Sequence, residues 1–250
     1  MIIVFPHQIT MKADNKDFTS ENTELEQLDS IGRVAWAWDR FGEGLVVSTS
    51  FGLQSAVMLH LVSKVSKKIP IVFVDTGYLF SETYEYAEAL CEKLGIRAKT
   101  FSAGLSQAYQ EVRFGKLWEQ GAEGMERYNL INKVEPMQRA LKELNAKGWL
   151  SGLRRGQSKS RAARTFVETQ NGTVKIYPIL DWDDRTTYEY LPANNLPYHP
   201  LEGKGYDSLG DWHSAKKLSE ASSRDDTRNA GHKRECGLHE ELPDGYAFEI

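Results

Sequence analysis

Four stretches of this chain hold residues whose types and spacing could do chemistry. Ser48-Thr49-Ser50-Phe51-Gly52-Leu53-Gln54 sets three hydroxyls beside a glycine, between an apolar run and a helix-periodic segment. Backbone N–H groups and the positive end of a helix dipole at such a turn favour an anion. The same residues could simply cap a strand-to-helix turn, since Ser and Thr are good N-caps, and the pattern is neither GxGxxG nor a Walker loop. Asp75-Thr76-Gly77 ends a second apolar run, where Asp could cap a tight turn. Two such turns on neighbouring parallel strands would instead open into one crevice, the place where open α/β sheets bind ligands. From Lys133 to Arg164 there are nine Lys and Arg against two Glu, a local surplus in a chain of net charge −4. Positions such as Arg139 and Lys142 fit a solvated helix face. Arg154 and Arg155, in Ser151-Gly152-Leu153-Arg154-Arg155-Gly156-Gln157-Ser158, follow an apolar run, and arginine forks there match phosphate geometry. The fourth stretch is Lys233-Arg234-Glu235-Cys236-Gly237-Leu238-His239. Neighbouring cations lower a thiol pKa and create the nucleophilic thiolate, and a free cysteine in so polar a stretch favours reactivity over burial.

The elements that must position these residues are legible in the periodicity. Apolar steps of three and four residues from Leu25 to Trp38 predict one amphipathic helix beginning at Glu24. Leu45–Val47 predicts a strand, and helical periodicity resumes from Leu53 to Val62. Ile71–Val74 predicts a strand, Ser81–Leu94 a helix stopped by Gly95, and Arg97–Phe101 a third strand. A helix over Pro136–Ala146, a strand over Gly148–Gly152, a hairpin of Thr165–Thr169 and Thr173–Tyr177 around Asn171-Gly172, and a helix over Asp184–Tyr190 complete the pattern. Alternating strand and helix predict an α/β fold: an open, mostly parallel sheet with helices on both faces. Residues 1–23 read as a loose N-terminal arm, 24–200 as the α/β domain and 201–250 as a C-terminal tail with little periodicity. So long an unpatterned stretch within a domain is functional or disordered.

Composition excludes several classes. With 250 residues, 40% of them hydrophobic, the chain can bury roughly 70–75% of its unfolded surface without staples. Acidic residues outnumber basic ones, 35 to 31, so nucleic acid is not the expected partner, and aromatics do not interleave with the basic run as a stacking platform would. The apolar start of the chain has no cationic flank, and no apolar run is long enough to span a membrane. Two cysteines are too few for a disulfide framework or a cysteine-bound metal, so a reducing cytoplasm is expected. Cys91 shares a helical stripe with Tyr84, Ala87 and Leu94 and is expected to pack in the core. Four histidines follow residue 198 without HExxH or HxH spacing, and no metal site is expected.

Taken together, SFGLQSAV (50–57), FVDTGYLFSETY (73–84), FGKLWEQGAEGMERYNLINKVEPMQRALKELNA (114–146), GLRRGQSKSRA (152–162), ILDWDDRT (179–186) and KRECGLHE (233–240) resemble the thioredoxin-dependent phosphoadenylyl-sulfate (PAPS) reductases of bacterial sulfate assimilation. The last motif is the most specific; the others are shared in part with ATP-pyrophosphatase-type proteins of the adenine nucleotide alpha-hydrolase-like fold. The resemblance implies that Ser48, Thr49, Ser50, Phe51 and Gly52 form a modified phosphate loop, and that Asp75, Thr76 and Gly77 belong to the adenosine pocket. It further implies that Lys133, Arg154, Arg155, Ser158 and Arg161 meet the substrate's phosphates and sulfonate, with Lys233, Arg234 and His239 around the catalytic Cys236 on a mobile C-terminal segment. Tyr206 and Arg228 are the remaining assignments to the substrate site. Most relatives that reduce adenylyl sulfate carry an iron–sulfur cluster, whose cysteines, by the family pattern, would fall at Tyr128, Asn129, Asp211 and Ser214. None is cysteine here, so the resemblance points to the cluster-free branch and to no bound cofactor.

The same resemblance implies a homodimer and a sulfonate transfer to Cys236, with reduced thioredoxin or glutaredoxin as the electron donor. The alternatives are a cluster-free adenylyl-sulfate reductase, an adenylating enzyme of the ATP-pyrophosphatase fold, and a non-catalytic adenylate-binding protein. The adenylating enzyme would need a Ser-Gly-Gly-x-Asp-Ser type loop, where this chain reads STSFGLQ.

Overall fold

A computed structural model describes residues 17–158, 161–170, 172–223 and Thr227. The N-terminal half of the sheet is built from apolar runs too uniform to have a wet face. β1 (Leu45–Thr49) and β2 (Ile71–Val74) are inner strands of a sheet covered on both sides, and their residues are buried almost throughout. Such near-continuous burial is the mark of a parallel sheet under two helical layers. β3 (Ala98–Phe101) follows β2, while β4 (Gly148–Leu150), β5 (Val167–Gln170) and β6 (Thr173–Ile176) complete six strands in the order β3-β2-β1-β4-β6-β5. All neighbours are parallel except the β5–β6 pair. Val47 lies opposite Ile71 on one side of β1, and Val46 opposite Trp149 on the other.

Alternation along the strands feeds two cores. Leu45, Val47, Ile71, Phe73, Leu150 and Ile176 turn to a large core shared with α2 (Ser30–Phe41), α3 (Ser55–Val65), α4 (Ser81–Leu94) and α8 (Asp184–Ala193). Val46, Val72, Val74 and Trp149 turn the other way, onto Met137, Ala140 and Leu141 of α7 (Glu135–Glu143). Helices therefore cover both faces, as the pattern predicts.

Several elements differ from the periodicity reading. The single helix expected from Glu24 is two: α1 (Thr19–Glu26) and α2. The break follows from Asp29, whose carboxylate accepts the Gly32 N–H at 2.7 Å and starts a new helix. α1 begins inside the expected loose arm, and Asn22 ties it to the sheet margin. The Asn22 side chain donates to Val167 O at 3.1 Å and accepts the Val167 N–H at 3.0 Å. Between β3 and α7 lie α5 (Gln107–Phe114), α6 (Gly121–Asn129) and a π-helical turn, Leu130–Val134, none of which the apolar spacing announced. α8 runs three residues past the expected end and carries Pro192 in its last turn. Ser81–Leu94 and Ile71–Val74 fall where the sequence put them, and Gly95 closes α4 at φ +61°. Among the described residues no helix is long and apolar enough to cross a membrane.

Candidate functional site

The strand order reverses direction between β1 and β4, and a crevice opens outside their carboxyl ends, where such sheets bind ligands. One wall is the loop after β1. Thr49 Oγ1 accepts the Phe51 N–H at 3.0 Å, folding the chain back on itself. Phe51 then takes φ +47°, a left-handed conformation sparsely used by non-glycine residues. Its ring is buried and meets Phe73 edge-on at 5.0 Å, so Phe51 anchors the loop from the core and does not itself line the crevice. α3 starts at Ser55 beside the crevice with no side-chain cap from Gln54; the Ser55 N–H donates to Gly52 O at 3.0 Å and the Val57 N–H to Gln54 O at 3.2 Å, and the positive end of the helix dipole faces the crevice. Ser48, Thr49, Ser50 and Gly52 line this wall. The Ser48 hydroxyl also accepts the Trp149 indole N–H at 2.8 Å.

The facing wall is the segment after β4. Gly152 must be glycine because a Cβ there would stand 2.7 Å from Met58 Cγ. Arg154 is 3% exposed at the crevice floor; it donates to Asp184 Oδ1 at 2.9 Å and to Gln54 Oε1. Gln157 Oε1 accepts the Arg154 backbone N–H at 3.1 Å and a guanidinium N–H of Arg161. Two neutral glutamines thus aim two arginines without cancelling their charge. Asp184 partly compensates Arg154, but its side chain is 55% exposed and screened by water. The crevice is completed by Asp207, Ser208 and Leu209, and it continues into a second lobe lined by Arg154, Arg161, Arg185 and Tyr206.

The expected site residues do not all converge. Ser48, Thr49, Ser50, Gly52, Arg154, Arg161 and Tyr206 share the two-lobed crevice. Arg155 turns away, its Nε donating to Arg164 O at 3.0 Å and its guanidinium lying 5.1 Å from the Phe166 ring centre. Ser158 is half-buried and does not line the crevice. Asp75, Thr76 and Gly77 form a separate turn at the end of β2. Asp75 Oδ1 accepts the Gly77 N–H at 2.8 Å and the Tyr84 hydroxyl at 2.6 Å. Lys133 sits behind that turn rather than in the crevice, its Nζ 2.7 Å from Asp211 Oδ2, and Thr76 Oγ1 donates to Asp211 Oδ1. Burial pushes the fully buried Asp211 carboxyl up. The Lys133 charge and the hydrogen bonds from Lys133 and Thr76 outweigh burial and hold it below the usual carboxylate range. Cys236, Arg228, Lys233, Arg234 and His239 lie outside the described residues. Cys91 is half-buried against the large core, and burial raises its thiol pKa.

Five participants carry no local signal. Gln54 and Gln157 line the crevice and orient the arginines. Asp207, Ser208 and Asp211 belong to a stretch without periodicity, so nothing in the sequence brings them to the sheet. Tyr128, Asn129, Asp211 and Ser214 are the residues that the resemblance alone would set against cluster cysteines. Here the two Asp211 oxygens are engaged by Lys133 and Thr76, and the Tyr128 ring packs 5.0 Å from the His213 ring. Among the described residues no group of three or more His, Cys, Asp or Glu could hold a metal ion.

The sheet order and the crevice at its switch point define an α/β protein of the adenine nucleotide alpha-hydrolase-like class. A Candida glabrata FMN adenylyltransferase, solved with FMN and an ATP analogue, shares this fold at a TM-score of 0.52 and 14% identity, covering 83% of this chain and 70% of that one. A phosphoadenylyl-sulfate (PAPS) reductase from Candida auris, solved as a phosphate complex, superposes with a TM-score of 0.70 at 31% identity, over 82% of this chain and 98% of that one. Phosphoadenosine 5'-phosphosulfate reductases of Klebsiella pneumoniae and Escherichia coli O139:H28 are 53% and 55% identical over 219 residues, covering 88% of this chain and 90% of each relative. The family model for the phosphoadenosine phosphosulfate reductase domain matches residues 44–217. This chain belongs to the phosphoadenosine phosphosulfate reductase family.

Proposed function

We propose that this protein reduces 3'-phosphoadenylyl sulfate to sulfite and adenosine 3',5'-bisphosphate, with a thioredoxin-type dithiol as reductant. The observation that carries the reading is a polyanion-sized crevice with two pre-aimed arginines, in a chain more than half identical to phosphoadenosine 5'-phosphosulfate reductases over 88% of its length. The β1 loop and the α3 N-terminus receive phosphate through backbone N–H groups, and Arg154 and Arg161 face the rest of the anhydride. The Cys236 thiolate attacks the sulfonate sulfur. An S–S bond forms, the S–O bond to the nucleotide phosphate breaks, and adenosine 3',5'-bisphosphate leaves with that electron pair. The enzyme then holds an S-sulfocysteine, which splits one difficult displacement into two.

Anion must approach anion in this step, and the arginines make that possible. A cation about 4 Å from an anionic oxygen supplies roughly 4 kcal/mol of gross attraction at an effective dielectric of about 20. They also stabilise charge growing on the leaving phosphate. One thiolate of the external dithiol next attacks Cys236 Sγ and expels sulfite. The second thiol closes the disulfide and returns Cys236 as thiolate. No iron–sulfur cluster takes part in this scheme, since the side chains at 128, 129, 211 and 214 offer no thiolate. A cytoplasmic homodimer serving sulfate assimilation completes the proposal.

Intact-protein mass spectrometry after incubation with 3'-phosphoadenylyl sulfate, without reductant, should show one sulfonate adduct, mapping by peptide analysis to Cys236. Cys236→Ser should carry no adduct. An unmodified wild-type chain that nonetheless releases sulfite on adding thioredoxin would refute the covalent route. Parallel assays with adenylyl sulfate separate the two nucleotide substrates.

A further inference from the structure

The segment from Tyr206 to Leu209 forms a wall of both lobes of the crevice, yet it belongs to no helix or strand. It is packed at both ends: the Tyr206 ring meets Phe80 at 5.5 Å, and Leu209 is buried. A further anchor lies two residues on. Asp211 is 1% exposed and makes the only isolated bridge among the described residues, antiparallel to Leu79, and the neighbouring Trp212 N–H donates to Tyr78 O at 2.8 Å. Its carboxylate is gripped on both oxygens, by Thr76 from the β2 turn and by Lys133 from the π-helical turn between α6 and α7. Three segments far apart in sequence therefore meet on one side chain. Downstream, its carbonyl accepts the Ser214 and Ala215 N–H groups at 3.1 and 3.0 Å, and the Lys216 N–H donates to Thr227 O at 3.0 Å. The chain that leads toward Cys236 thus leaves from the same knot.

We infer that Asp211 is a positioning residue for the nucleotide site: its carboxylate pins the 206–209 wall of the crevice to the β2 turn. It touches no reacting atom; it acts through Thr76 and Lys133 on one side and the wall on the other. A lone buried carboxylate would be expelled toward water, and a lone buried Lys133 likewise, so each holds the other in place. Asp211→Asn keeps the shape of the side chain while removing the charge that both partners need. The ligand part of this inference rests on the proposed function; the mechanical part does not.

The test combines two measurements on wild type, Asp211→Asn and Thr76→Val. Amide hydrogen exchange should become faster over residues 206–212 in Asp211→Asn, with α3 and β1 unchanged. Calorimetric titration with adenosine 3',5'-bisphosphate should show affinity weakened about ten-fold or more, the scale on which small misplacements of a site are felt. Thr76→Val keeps the ion pair and guards against a misfolded Asp211 variant. It should shift both readouts in the same direction by less. A role confined to global stability would lower the melting temperature while leaving exchange over 206–212 no faster than elsewhere, and would overturn the inference. Faster exchange with unchanged nucleotide affinity would also overturn it. A wild-type protein that fails to bind the nucleotide would refute the proposed function, while the exchange data would still decide whether Asp211 is the anchor.

Discussion

Arg154→Met isolates the charge at the crevice floor, because methionine fills much the same volume without the cation. Arg154 is nearly buried before any ligand arrives, so most of its desolvation has already occurred on folding. Its partners are a glutamine and a carboxylate that is more than half exposed. Asp184 regains water when the guanidinium is removed, so the fold should lose little from that side. The binding loss is larger. A charge-assisted hydrogen bond contributes about 1.5–3 kcal/mol net, which corresponds to roughly ten- to 150-fold in affinity. Isothermal titration with adenosine 3',5'-bisphosphate should show this drop, together with a weaker dependence of affinity on salt. Circular dichroism and the melting temperature should stay near wild type. If the folded variant binds within about two-fold of wild type, a difference under 0.5 kcal/mol, the assignment of Arg154 to the phosphates is wrong.

Two further outcomes bear on the scaffold. Gly77 sits at φ +72°, and a Cβ there would stand 1.8 Å from Gln107 Nε2; that amide donates to Thr76 O at 2.8 Å. Gly77→Ala should therefore cost about 1–2 kcal/mol, from left-handed strain plus one displaced hydrogen bond; an unchanged urea midpoint would contradict this. His199 is buried and its pKa is pushed down to about 4 by burial, with Glu82 opposing. Nδ1 accepts the Leu201 N–H, which leaves the proton on Nε2 facing Thr83. The unfolded chain takes up a proton near pH 6.5 and the folded one only near 4. Stability should therefore fall as pH drops through that window and level off below it. Urea midpoints at pH 7.5 and 5 measure the fall, which should shrink in His199→Gln; equal falls in both proteins would assign the effect elsewhere.

What the sequence disclosed divides along the range of the interactions. Ile71–Val74 and Ser81–Leu94 were legible because strand hydrophobicity, helical spacing and a terminal glycine all act locally. The crevice was legible for a related reason. Ser48–Gly52 and Arg154–Gln157 each follow a strand, and the sheet order places their ends together. α5 and α6 were hidden because their buried positions are few: Gln110 alone in α5, and in α6 two apolar residues among Gly124 and Asn129. Gln110 is held by paired amide hydrogen bonds to Asn132, a contact between polar residues that hydrophobic periodicity cannot register. Lys133 looked like one more cation in a basic run. Only the return of Asp211, 78 positions later in the chain, turns it inward. Arg155, adjacent to Arg154, faces the other way because the extended backbone ends at Arg154 and Arg155 opens a 3-10 turn.

The Asn22 amide has a consequence for how the molecule behaves in a crowded solution. β5 is the terminal strand of the sheet on its antiparallel side, and a bare margin of that kind invites another copy to add its own strand. One carboxamide imitates the donor and acceptor that an incoming backbone would bring to Val167, so that rung of the ladder is taken by the protein itself. Resistance to such strand addition is in this respect written into a helix that lines no part of the crevice.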